Sequence, residues 1–148
     1  MPRFFSALLF LALGIGAPGQ TLAAGAACVM AKYQGRTLDY ELVVTDGHPS
    51  EAQEEAKSKL REKGYANFHK NLDIMRPQNL TNLSHAYVVV IRSEFRDARD
   101  KERSAMGCGF SAASFDAALW DALRDGQSYY WGWKPDRDGY EVVRKLRY

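Results

Sequence analysis

This chain of 148 residues is poor in metal-binding side chains, with two cysteines and three histidines. The histidines, His48, His69 and His85, share no i,i+4 spacing and no H-E-x-x-H pattern, so ligands would have to be gathered across loops, and no metal or other cofactor is expected. Net charge is also scarce. Twenty Lys and Arg oppose eighteen Asp and Glu, which leaves no global attraction to a polyanion, and nucleic acid is not an expected partner. There is no uninterrupted apolar run of the roughly 20 residues that a spanning helix needs. The nearest, Phe4 to Ala17, is broken by Ser6, Gly14 and Gly16 and stops at Pro18.

That run has a different reading. Met1-Pro2-Arg3 supplies a short basic start, the apolar stretch follows, and small residues from Ala23 to Ala27 offer A-x-A-like cleavage sites. Residues 1–23 are therefore expected to be a secretory signal peptide, with cleavage after Ala23 or as late as Ala26. Residues 24–148 then form a single small α+β domain, with no transmembrane segment, exported to the periplasm or secreted. Gly25 stands where a lipid-anchored precursor would carry a larger aliphatic residue before Cys28, which argues against a lipid anchor.

In an oxidising compartment the two cysteines, Cys28 and Cys108, are expected to form one disulfide. It would tie the mature N-terminus to the middle of the chain.

Two stretches have helical periodicity. Ser50 with Gln53 forms a capping box before Ala52, Ala56 and Leu60, and Gly64 stops the run. A second helix starts from Ser111 or Ser114, places Phe115, Ala118, Leu119, Ala122 and Leu123 on one face, and is expected to end at Gly126. Strands are expected at 28–33 and 38–44, joined by a turn at Gln34-Gly35-Arg36, then at 87–92, 105–110 and 140–148. The order ββαββαβ hints at an internal repeat. It fits a two-layer sandwich, with two helices on one face of a mostly antiparallel sheet of about five strands. The segment from Tyr65 to His85 is too long for a bare connection, and carries either function or further structure.

Several short motifs are better explained structurally. Gly107-Cys108-Gly109 begins a G-x-G-x-x-A pattern but lacks the parallel βαβ setting of a dinucleotide site, so the glycines are expected to relieve crowding in a strand. Gly109-Phe110-Ser111-Ala112-Ala113 approaches a nucleophile elbow, yet its fifth residue is Ala, and Ser111 is read as a helix cap. The run from Arg96 to Arg103 is charge-balanced and read as a wet turn, and the basic residues Arg144, Lys145 and Arg147 as protection of a sheet edge. No catalytic residue is assigned.

The unusual stretch is Tyr129-Tyr130-Trp131-Gly132-Trp133-Lys134-Pro135. Its rings can stack on sugars or anchor a protein interface, or they can fold back and cap a small core, with alternate rings facing in and out. The expected function is an exported binding protein, an inhibitor or immunity-type module, that contacts another protein or a glycan through Tyr129, Tyr130, Trp131, Trp133 and Lys134. The alternative is a small secreted hydrolase in which His48 or His85 meets a carboxylate only in the fold.

Overall fold

The computed structural model describes residues 24–65 and 76–148, the side chains of 76–78 excepted. The expected leader 1–23, and residues 66–75 with His69, lie outside the described residues. The chain begins with β1 (Gly25–Tyr33) and β2 (Arg36–Thr45), joined through Gln34 and Gly35 at φ 47° and 78°. Two successive positive φ angles make a turn whose twist suits a tight hairpin. Helix α1 (Pro49–Glu62) follows, then β3 (Arg76–Thr81), which returns antiparallel to β1 on the side away from β2.

The second half repeats this path. Strands β4 (Tyr87–Arg96) and β5 (Glu102–Ser111) form a hairpin, α2 (Phe115–Tyr129) and the single turn α3 (Pro135–Asp138) follow, and β6 (Glu141–Arg147) returns beside β4. The two sheets have the equivalent orders β2-β1-β3 and β5-β4-β6. The repeat suggested by the sequence is thus a ββαβ unit used twice.

The architecture is α+β, but the expected single sheet of about five strands with both helices on one face is not what forms. Among the described residues there are two three-stranded antiparallel sheets, each with its own helix. The physical reason lies in the central strands. Ala26, Cys28 and Met30 of β1 face the second sheet, while Ala27, Val29 and Ala31 face Ala52, Ala56 and Leu60 of α1. Likewise Val88 and Val90 of β4 face the first sheet, and Val89 and Ile91 face α2. A strand apolar on both faces must be covered twice, and burying each Val, Ile or Met is worth about 1.5–3 kcal/mol. The layers therefore run α1, first sheet, second sheet, α2.

Strand β5 crosses the first sheet. Near its start Ser104 exchanges hydrogen bonds with the backbone of Thr37 in β2, and Cys108 forms the expected disulfide with Cys28 in β1, Cα to Cα 6.4 Å. The Cys108 carbonyl also accepts from Asn79 of β3. Closing a loop of 80 residues stabilises the fold by about 4–5 kcal/mol on the chain-entropy estimate.

Glycines in β5 face α2. A Cβ on Gly107 would lie 2.0 Å from the Ala122 carbonyl oxygen, and one on Gly109 1.8 Å from that of Ala118. The free edge of β5 is met by the same helix: Asp125 accepts from the Cys108 N–H at 2.8 Å and Asp121 from the Phe110 N–H at 3.0 Å.

Two expected helix boundaries are corrected, and of the two starts offered for α2 the structure has the second. His48 caps α1, its Nδ1 accepting from the Ser50 N–H, and Pro49 occupies the first turn, where a missing N–H costs nothing. Ser114 caps α2, whereas Ser111 ends β5 and accepts from the Ala113 N–H. Gly126 does not end α2 but lies buried within it, because the Trp133 ring rests against it.

Substituting Gly109→Ala places a methyl against backbone that cannot swing aside, so we expect a loss of about 3 kcal/mol or more. Urea unfolding checks this. An unchanged midpoint would show that α2 can withdraw without cost.

Candidate functional site

The end of α2 is fastened before the aromatic loop begins. Tyr130 donates its N–H to the Gly126 carbonyl, and its hydroxyl shares a 2.8 Å hydrogen bond with Thr37 Oγ1 of β2. The ammonium of Lys32 in β1, itself buried, lies 4.2 Å from the Tyr129 ring centroid and 4.9 Å from that of Tyr130. Cation–π contacts are stronger when desolvated. Burial raises the Tyr130 phenol above its usual range, so it remains a neutral donor and acceptor at neutral pH.

Two tryptophans two residues apart then part company. Trp133 is buried against Val89, Ile91 and Leu123, and its indole N–H donates to the Gly139 carbonyl at 3.2 Å. Trp131 is 86% exposed. The turn between them is held by Arg137, which donates to the Gly132 carbonyl and pairs with Asp138. Asp138 also accepts from the Lys134 N–H, and the guanidinium of Arg137 keeps its carboxyl below the usual range. A loop fixed at this many points presents Trp131 in one place rather than many.

Opposite stands the β4–β5 turn, which is better organised than a wet charge run. Asp97 Oδ1 accepts from the N–H groups of Arg99 and Lys101, and Oδ2 accepts from Arg103 Nε at 2.8 Å. Arg103 also donates to the Gln34 carbonyl of the β1–β2 turn. Asp97 thus holds its own turn and, through Arg103, ties it to the first half of the chain. The backbone donor of Lys101 and then the Arg103 guanidinium lower the Asp97 carboxyl from 3.8 to about 2.

Between loop and turn lies an open groove of about 900 Å³. Tyr129, Tyr130, Trp131 and Lys134 line it together with Phe95, Arg96, Asp97, Arg99, Arg103 and Arg137. Trp133 does not line it; it supports the loop from beneath. Comparison with protein-family models, curated proteins and solved structures finds no match to this chain. The site therefore has to be read from its own geometry.

Of the sequence-expected binding residues, the fold brings four to the groove and sends one to the core. His48 engages Ser50, and among the described residues neither His48 nor His85 is paired with a carboxylate. No group of three metal-ligating side chains occurs among the described residues. Asn79, in a formal glycosylation sequon, has its amide committed to the Cys108 carbonyl and to Asp121. Arg96, Arg99 and Arg103 read in the sequence as a wet, charge-balanced turn because their spacing shows only alternating charge, and Arg137 carries no sequence signal of its own. Trp120, 71% exposed on α2, was overlooked, although it falls off the helix's apolar stripe.

A depressed carboxyl stabilises the fold above its unfolded value and ceases to do so as pH falls through the folded one. The turn should therefore hold at pH 4 and loosen toward about pH 2. The amide resonances of Arg99 and Lys101 should titrate with a midpoint near 2 rather than 3.8, and Asp97→Asn should abolish the transition. A midpoint at the ordinary value would show that Asp97 does not hold the turn.

Proposed function

We propose that residues 1–23 are an export leader and that the mature chain is a small binding protein of the cell envelope or exterior, an inhibitor or immunity-type module. Its recognition surface is the groove of Tyr129, Tyr130, Trp131 and Lys134, and its partner is another protein or a glycan. The observation that carries this reading is the exposure of Trp131 at the rim of a groove whose walls are individually braced. Leaving a large ring in water on a rigid loop does not help folding, whereas a preorganised aromatic lowers the entropic cost of binding.

Export is supported by the disulfide, which persists in oxidising compartments. Among the described residues no helix is long and apolar enough to cross a membrane. Cleavage after Ala23 would leave β1 whole. Cleavage after Ala26 would remove Gly25 and Ala26, which pair with Thr45 and Val44 and are buried. Intact-mass measurement of the exported protein should accordingly find Ala24 as the first residue; a start at Ala27 would show that the beginning of β1 is dispensable.

The groove is tested by comparing two tryptophans. Trp131→Ala should change stability by less than about 0.5 kcal/mol, with unaltered circular dichroism, yet lose a partner that wild type retains from envelope extract. Trp133→Ala should lose about 3–5 kcal/mol as a core truncation. If the folded Trp131 variant retains every wild-type partner, or wild type retains none, the groove is not the recognition surface.

A further inference from the structure

We infer that the ligand of this groove is an acidic glycan, whose sugar ring stacks on Trp131 and whose carboxylates are taken by Arg99 and Lys134; the inference rests on the groove being a recognition surface. Five cationic side chains line it, Arg96, Arg99, Arg103, Lys134 and Arg137, against one carboxylate, Asp97. Three of the five are already engaged. Arg96 meets Asp100 and Glu102, Arg103 meets Asp97, and Arg137 meets Asp138. Among the described residues no carboxylate pairs with Arg99 or Lys134, and both are exposed. The groove therefore offers an Arg fork and a Lys point charge to an incoming anion, and the fork suits a planar carboxylate held by two parallel bonds.

The shape and setting favour a sugar chain over an acidic peptide. At about 900 Å³ the groove is near the upper end of the roughly 300–1,000 Å³ typical of small-molecule sites, far more than one ion requires. A peptide side chain gains most from a closed, desolvated pocket. Here the aromatic anchor is an open indole face at the rim, which suits the flat C–H face of a pyranose lying across it. The whole chain is close to neutral, so the long-range attraction that accompanies nucleic-acid binding is missing, and the cation excess acts only at short range.

The test uses the disulfide-bonded mature protein and fluorescently labelled tetragalacturonate, followed by anisotropy. The methyl-esterified tetramer, with the same rings but no charge, serves as control beside hexaglutamate and a thymidine hexanucleotide. We expect the uronate to bind, the ester to bind at least about tenfold more weakly, and the peptide and oligonucleotide not to compete. Arg99→Ala and Lys134→Ala should each weaken uronate binding about fivefold, and Trp131→Ala about tenfold, with folds unchanged. Absence of uronate binding, equal binding of the ester, or equal competition by hexaglutamate or the oligonucleotide would overturn the assignment. If the uronate fails while envelope extract still yields a Trp131-dependent partner, the ligand class alone falls. If both fail, the groove falls with it.

Discussion

The close approach of α2 to β5 sets the position of much that follows it in the chain. Glycine at 107 and 109 lets the carbonyls of Ala118 and Ala122 come nearer to the strand than any Cβ would permit. At that distance the carboxylates of Asp121 and Asp125 reach around to the free edge of β5 and satisfy the N–H groups of Phe110 and Cys108. Buried donors left unpaired cost about 1–3 kcal/mol each, so the strand needs this helix as much as the helix needs the strand. On its other face β5 carries Met106, Cys108 and Phe110 into the contact between sheets. Side-chain alternation along one short strand thus serves two layers at once.

The groove inherits its geometry from that packing. Gly126 continues the stripe of Ala118 and Ala122 by one more helical turn, and the space it leaves is filled by the ring of Trp133. Burying Trp133 fixes where the chain turns back after α2. Two residues earlier, Trp131 is then held outward, because Tyr130 is tied to Thr37 and Arg137 closes on the Gly132 carbonyl. The exposure of one tryptophan is thus the consequence of the burial of the other.

Much of this was legible in the sequence where patterns are local. Alternating or apolar strands, two amphipathic helices and the Gln34-Gly35 turn all follow from short-range rules, and the Cys28–Cys108 bond follows from cysteine count, since an exported chain with two cysteines has one pairing to make. The layer count did not follow, although a signal for it is present. Ala26 to Ala31 and Val88 to Ile91 are apolar without alternation, the mark of strands covered on both faces. Strand β3 escaped notice because Arg76 to Thr81, containing Pro77, has neither alternation nor β-branched residues enough to declare itself. The groove was half legible. Aromatics clustered in sequence announced one wall, but the opposite wall is built by Asp97 drawing in Arg103, a contact made only once the β4–β5 hairpin closes.

The two ββαβ halves share a topology, yet the groove belongs to neither alone. Gly35 of the first half borders it, the Asp97 turn and the aromatic loop come from the second, and the links between them are specific. Arg103 reaches the Gln34 carbonyl, Ser104 the backbone of Thr37, and Lys32 the faces of Tyr129 and Tyr130. The disulfide lies in the same contact between sheets, joining β1 to the middle of β5. Its constraint on the unfolded chain is a stability term, but its position makes it more than that. Any relative slide of the two sheets would carry the β1–β2 turn away from Arg103 and Thr37 away from Tyr130, breaking the contacts that tie both walls of the groove to the first half. A covalent tie between the central strand of one sheet and the strand that crosses it resists that motion, so oxidation of the two cysteines guards the Thr37–Tyr130 and Gln34–Arg103 contacts that brace the groove as well as the fold.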